Sequence, residues 1–154
     1  MRFPSISARD LENADYVLPD DLPGTWRLVL MPFKRWQQIV VGAWIEALEP
    51  LTTAYPELTV WEVPTLSSAW TAARGYIDGG MRAGIPDVDV RRHTLTAYTP
   101  LNHVAKELDI PSFDEVQVFL LDAAGEIVWR SAGEPDTGKA TALADVLAAA
   151  GAGS

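Results

Sequence analysis

The sequence predicts an α/β domain with a mixed, mostly parallel sheet of about five strands and helices on both faces. In its first two thirds, short apolar runs alternate with segments whose apolar residues recur every three or four positions, which is typical of strands alternating with amphipathic helices. Near the end, two apolar runs flank Asp122-Ala-Ala-Gly125, a hairpin signal that predicts one late antiparallel pair. The length of 154 residues predicts one domain.

The first half of the predicted domain is a strand, a helix and a second strand. The run Trp26–Met31, between Gly24 and Pro32, is typical of a strand buried on both faces. A helix is predicted over residues 37–54 and a strand over 58–63. The apolar stripe of this helix consists of Trp36, Val40, Val41, Trp44, Leu48 and Leu51.

The second half continues the alternation and then closes with the hairpin. We predict a helix from Ser67 or Ser68, with Trp70 on its apolar face, and a loop over residues 83–92. The remaining predicted elements are a strand over 93–98, a helix started by Thr99-Pro100, strands over 115–121 and 126–131, and a helix from Asp136 or Thr137 to about 149. Residues 1–24, broken by three prolines, are predicted to form an arm packed on the domain of residues 25–150.

Charge and hydropathy exclude several classes of partner. The net charge is −9, with 21 acidic against 12 basic residues, which argues against nucleic-acid binding and against anionic membrane surfaces. No apolar run approaches the length of a membrane span, and the N-terminus lacks the apolar run of a signal peptide, so we expect a cytoplasmic protein.

The chain contains no cysteine, which removes a whole area of chemistry. Disulfides, a thiolate nucleophile, and thiol-disulfide oxidoreductase or peroxidase activity are excluded. The two histidines, His93 and His103, have no partners at metal-ligand spacing, and no nucleotide-binding motif is present. We therefore expect neither a metal nor a cofactor.

Four stretches occur in an order that matches a known superfamily. Leu18-Pro-Asp-Asp-Leu-Pro-Gly24 is followed by Leu28-Val-Leu-Met-Pro-Phe33, and Val118-Phe-Leu-Leu-Asp122 is followed by Gly125-Glu-Ile-Val128 and Gly133. This series, over roughly residues 11–150, resembles the leader, first strand and closing hairpin of the thioredoxin-like superfamily. The resemblance is to its peroxiredoxin-like arrangement, and it implies a helix–strand–helix insertion in the middle of the fold.

The chain departs from that superfamily at the redox site. Redox members carry cysteine where the first strand meets the first helix, and residues 33–38 here contain no thiol. The superfamily's cis-proline precedes the fourth strand, and the nearest match here is Asp114. The resemblance therefore implies a fold without the redox apparatus, and none of the superfamily's catalytic residues is carried over.

A narrower resemblance is to the cysteine-poor thioredoxin-like domain of the mitochondrial ATP-synthase assembly factor. It rests on Tyr55-Pro56, on Val63-Pro64, on Gly80-Met81-Arg82 and on the segment from Gly125 to Gly133. It implies a role in holding or assembling another protein.

The junction between the first strand and the first helix is the candidate ligand site. A helix N-terminus presents unpaired N–H groups and a partial positive charge, to which two basic side chains add full charges, so the junction suits a carboxylate or a phosphate. The resemblance places the loop with Phe113 and Asp114 opposite. On the alternative interpretation the two cations are merely solvated and the indole packs in the core. The junction residues are Lys34, Arg35, Trp36, Gln37 and Gln38.

The sequence leaves two hypotheses of function, which belong to different classes of protein. The favoured one is a non-redox binding or assembly module for a protein partner or a small anionic ligand. The alternative is an enzyme of non-thiol chemistry that uses the anion site, with Gln37 or Asp114 as a polar group. The alanine-rich last helix and the six tryptophans also suggest a homodimer. Trp36, Trp44 and Trp70 are expected in the core.

Overall fold

The structure is a computed structural model that describes residues 1–151, and these residues form eight strands and five helices. The strands are β1 (Ile6–Asp10), β2 (Asp15–Leu18), β3 (Trp26–Met31), β4 (Leu58–Glu62), β5 (Thr65–Ser67), β6 (Leu95–Thr99), β7 (Gln117–Leu121) and β8 (Ile127–Ala132). The helices are α1 (Gln38–Ala54), α2 (Arg74–Gly84), α3 (Val88–Arg92), α4 (Leu101–Leu108) and α5 (Thr137–Ala149).

The strands form two four-stranded blocks, in the orders β4-β3-β7-β8 and β2-β1-β6-β5. In the first block β3 runs parallel to β4 and antiparallel to β7, and β7 pairs antiparallel with β8. The blocks meet where Val63-Pro64 separates β4 from β5 and where Glu62 forms a parallel bridge with Thr94. The predicted mixed sheet and its late antiparallel hairpin are confirmed. The prediction that the sheet is mostly parallel is wrong, because β1 pairs antiparallel with β2 and β6, and β7 pairs antiparallel with β3 and β8.

The two central strands, β3 and β7, are buried on both faces. Leu28 and Leu30 pack with Trp44 and Leu48 of α1 and with α5 on one face. Val29 and Met31 pack on the other face in a second cluster that includes Val104 and Leu108 of α4. Since successive side chains of a strand point to opposite faces, one apolar run supplies both cores. Helices therefore cover both faces, as predicted.

The N-terminal segment contributes strands that the sequence analysis did not predict. β1 pairs antiparallel with both β2 and β6, and Phe3, Ile6 and Leu18 are buried in the core of the α4 face. The buried guanidinium of Arg27 on β3 donates to the carbonyl oxygens of Pro19 and Leu22, each at 2.8 Å. The segment is thus part of the sheet, while the boundary at residue 24 stays a prediction.

Other differences concern the middle of the chain. Residues 83–92, predicted as a loop, include the end of α2 and the short helix α3. Trp36 and Trp70, predicted in the core, are 56% and 57% exposed, whereas Trp44 is fully buried as predicted. Their predicted helical stripes are amphipathic in sequence, but Trp36 precedes α1, and Trp70 lies in a 3₁₀ segment, Ser68–Ala73, in which no residue is buried. Over the described residues, no helix has the length and apolarity that crossing a membrane requires.

Gly125 in the turn between β7 and β8 provides a test of this arrangement. Its φ is +83°, and an added Cβ would lie 2.7 Å from Cγ of Pro19. We expect Gly125→Ala to lower the free energy of unfolding by about 1–3 kcal/mol, because it combines left-handed strain with a clash.

Gly42→Ala is the matched control in chemical denaturation. Gly42 lies inside α1, and an added Cβ there would meet nothing within 4 Å, so alanine should stabilise the protein by about 0.5–1 kcal/mol. Equal effects of the two substitutions would contradict the packing of the N-terminal segment against the β7–β8 turn.

Candidate functional site

The junction between β3 and α1 is built around a buried amide. Gln37 ends a short 3₁₀ turn, Arg35–Gln37, and is fully buried. Its Oε1 accepts from the backbone N–H groups of Phe33 at 2.7 Å and Lys34 at 3.1 Å. Its Nε2 donates to the carbonyl oxygen of Phe113 at 2.8 Å. One side chain thereby ties the junction to the loop that precedes β7.

The same two segments also meet through an ion pair and two aromatic rings. Nζ of Lys34 pairs with the carboxylate of Asp114, and the rings of Phe33 and Phe113 lie 4.8 Å apart. The hydrogen bond and charge of Lys34 hold the pKa of Asp114 below its usual range. Asp114 is therefore ionised near neutral pH and is unsuited to general acid catalysis there.

Arg35 and Trp36 point away from this cluster. Among the described residues, the Arg35 side chain has neither an ion pair nor a hydrogen bond. Trp36 is 56% exposed, and Ile39, one turn further along the chain, is 82% exposed. An exposed indole beside a guanidinium is typical of surfaces that contact a partner, where tryptophan and arginine are enriched.

A cavity of about 860 Å³ opens beside the junction, between the start of α1 and α2. It is lined by Phe33, Lys34, Arg35 and Gln38 on the junction side, and the rest of its wall comes from the β4–β5 connection, β5 and α2. Its apolar lining residues are Pro32, Phe33, Pro64, Leu66, Ile77, Met81 and Ile85. Of the described residues that line the cavity, two are cations and none is an acid.

Helix α2, which forms the outer wall of the cavity, is attached to the sheet by polar contacts. The Asp78 carboxylate accepts from the hydroxyls of Thr96 and Tyr98, each at 2.9 Å. Arg74 donates to the carbonyl oxygen of Thr96 at 2.9 Å and lies over the ring of Tyr98. Burial and the hydrogen bond to Asp78 raise the pKa of Tyr98, so its hydroxyl stays protonated.

Glu62, at the end of β4, is a buried carboxyl group that the sequence analysis did not identify. It is 7% exposed, and its Oε1 has no hydrogen-bond partner among the described residues. Burial raises the pKa of Glu62, and the side chains of Gln38 and Thr94 only partly offset this. Its position in the run Leu58–Glu62 gave no signal, because a glutamate ending a strand is usually exposed.

The structure places the predicted site residues in three different surroundings. Lys34, Gln37, Phe113 and Asp114 touch one another across the junction. Arg35 and Gln38 line the cavity, and Trp36 lies on the outer surface. Gln37 is used internally rather than presented to solvent. Of the described residues, no three His, Asp or Glu side chains lie together in a group that could hold a metal ion.

The loop before β7 does not contain the cis-proline of the superfamily. Among the described residues, the cis peptide bond is Leu18–Pro19, which lies far along the chain from this loop. Residues 111–115 therefore present Asp114 to the junction without a cis-proline, as the sequence analysis inferred.

Comparison with known proteins identifies the fold. No protein-family model matches the sequence, and no curated protein matches it. Among solved structures, the thioredoxin domain of a thiol-disulfide oxidoreductase from Bacteroides vulgatus is similar, with a TM-score of 0.61 and 18% identity over 95% of this chain and 96% of that one.

Two further structures are similar over nearly the whole chain. A putative electron transfer protein from Aquifex aeolicus has a TM-score of 0.64 and 13% identity, over 96% of this chain and 90% of that one. BsSco, a member of the Sco family of cytochrome c oxidase assembly proteins, has a TM-score of 0.62 and 12% identity, over 97% and 94%. The protein therefore has a thioredoxin-like fold, in a chain that lacks cysteine. The narrower resemblance to the ATP-synthase assembly factor stays a prediction.

The bridging role of Gln37 predicts a large stability effect at a polar residue. Gln37→Leu should lower the free energy of unfolding by about 2–4 kcal/mol, because it leaves the buried N–H of Phe33 and the carbonyl of Phe113 without partners. Ile39→Ala, a change at an exposed position nearby, should stay within about 0.5 kcal/mol. Urea denaturation of the two variants distinguishes the bridge from a surface amide, for which both effects would be small.

Glu62 predicts a pH dependence of stability. Its folded-state pKa lies above the unfolded value, so the favourable contribution of its protonated form is complete below the unfolded pKa and is lost as pH rises through the folded pKa. Glu62→Gln, which stays neutral, should therefore be more stable than the parent at pH 8, and the difference should shrink as pH falls towards 4.

Denaturation curves at several pH values measure this difference. Glu46→Gln, at an exposed position of α1, is the control and should give a nearly constant difference from the parent. A Glu62→Gln difference that is also constant between pH 4 and 8 would contradict the burial of a carboxyl group that its hydrogen bonds only partly compensate.

Proposed function

We propose that this protein is a non-redox binding module that docks a protein partner on the surface of the β3–α1 junction. The observation that supports this most directly is the exposure of Trp36 and Ile39 beside two cations on a junction that Gln37 holds rigid. Rigid placement lowers the entropic cost of binding, since these side chains are positioned before a partner arrives. The absence of cysteine is consistent with a fold that serves for recognition.

A carboxylate is the group that such a partner would present to the junction. Lys34 is neutralised by Asp114, whereas Arg35 has no ionic partner among the described residues. A partner carboxylate could bind Arg35 directly and compete with Asp114 for Lys34. Charge-assisted hydrogen bonds contribute about 1.5–3 kcal/mol where a partner excludes solvent and much less on an open surface.

The two sides of this ion pair predict opposite effects on partner binding. Replacing Lys34 and Arg35 with alanine should weaken binding about tenfold and leave the free energy of unfolding almost unchanged. Asp114→Asn should tighten binding, because it removes the internal competitor for Lys34. Capture of a stoichiometric protein from the native cell, followed by titration of that protein against each variant, measures both effects.

The matched control replaces Arg92 and Lys106 with alanine, which removes the same charge from exposed positions outside the junction. It should bind as the parent does, apart from a modest change in association rate. If the junction double variant and the control bind alike, the docking surface lies on another face of the molecule.

An enzyme of non-thiol chemistry is the second candidate function. It is favoured by Glu62, a buried acid with a raised pKa that lies against Gln38 of the cavity wall. Asp114, the acid of the predicted site, is engaged by Lys34 and so does not support this candidate. Tight retention of a small metabolite by the purified protein, with turnover lost in Glu62→Gln, would favour this candidate over the binding module.

A further inference from the structure

We propose that the cavity between the start of α1 and α2 binds a small amphiphilic acid, whose apolar body fills the cavity and whose carboxylate pairs with Arg35. The proposal goes beyond the partner surface, because it needs no second protein. The two sites share Lys34 and Arg35 but differ in the rest of their walls.

The size and lining of the cavity suit a small molecule. Its volume of about 860 Å³ is within the range of small-molecule sites, which is roughly 300–1,000 Å³. Phe33, Pro64 and Leu66 line it from the sheet side, and Ile77 and Met81 line it from α2. An apolar body placed there would be removed from water on two sides.

Glycines keep this space open. Gly75, Gly79, Gly80 and Gly84 all line the cavity, and a Cβ built on any of them would meet nothing within 4 Å. Glycine disfavours helices, so four of them in the eleven residues of α2 weaken the helix itself. The polar contacts of Arg74 and Asp78 with β6 hold this helix against the sheet without closing the cavity.

Charge complementarity selects an acid as the occupant. Lys34 and Arg35 are the charged residues among those that line the cavity, and Lys34 already pairs with Asp114. Arg35 is left to bind an anionic group, and its planar guanidinium matches a carboxylate with two parallel hydrogen bonds. The acid Asp78 accepts its hydrogen bonds from Thr96 and Tyr98 on β6 and is not among the lining residues.

Isothermal titration calorimetry of decanoate into the purified full chain tests the proposal, with decan-1-ol and butyrate as comparison compounds. Decanoate should bind at least tenfold more tightly than decan-1-ol, which lacks the charge, and than butyrate, which lacks most of the apolar body. Arg35→Ala should weaken decanoate binding about tenfold and leave decan-1-ol binding unchanged.

A cavity-filling variant with a matched control locates the site. Gly80→Leu should weaken decanoate binding by narrowing the cavity, and it should not disturb folding because leucine is the better helix former. Gly42→Leu makes the same change in α1, outside the cavity, and should bind decanoate as the parent does. Circular dichroism of both variants verifies the fold. Arg35→Ala tests the proposal independently of the Gly80→Leu variant.

Three results would overturn the proposal: no decanoate binding by the parent, equal binding of decanoate and decan-1-ol, or undiminished decanoate binding by folded Gly80→Leu. These failures are distinguishable from failure of the partner surface. Trp36→Ala should weaken the partner and spare decanoate, because Trp36 is exposed and is not among the lining residues.

Discussion

The rest of the structure depends on the burial of β3 and β7 on both faces. Leu28 and Leu30 belong to one core and Val29 and Met31 to the other, so neither face of this strand can be left to water. α1 and α5 must cover one side, and α4 with the N-terminal strands the other. This double burial also fixes where β3 ends, and hence where the chain turns from the sheet into α1.

That turn is held by an amide where redox proteins of this fold carry thiols. Gln37 satisfies backbone groups on both sides of the junction and is shielded from solvent, whereas its neighbours Arg35 and Trp36 are exposed. Similarity to thiol-disulfide and Sco proteins at 12–18% identity establishes the shared fold only. Function is carried by sites built on a fold, and the junction in this chain contains no thiol.

The helix beside this junction, α2, is loosely packed. No residue of α2 is buried, and polar contacts of Arg74 and Asp78 with Thr96 and Tyr98 attach it to β6. Polar attachment at one edge and glycines along the cavity leave space that a well-packed helix would remove.

The sequence by itself determined the alternation of strands and helices from Trp26 onwards, the late hairpin, the absence of thiol chemistry and the location of the junction, because apolar period, turn residues and composition are local properties. Only the tertiary structure decided that residues 6–18 join the sheet and that Trp36 and Trp70 are exposed. It also decided that Gln37 donates to Phe113 and that Lys34 pairs with Asp114. It also decided the burial of Glu62 and the cavity lined by the glycines of α2. These features depend on contacts between residues far apart in the chain, which no local pattern encodes.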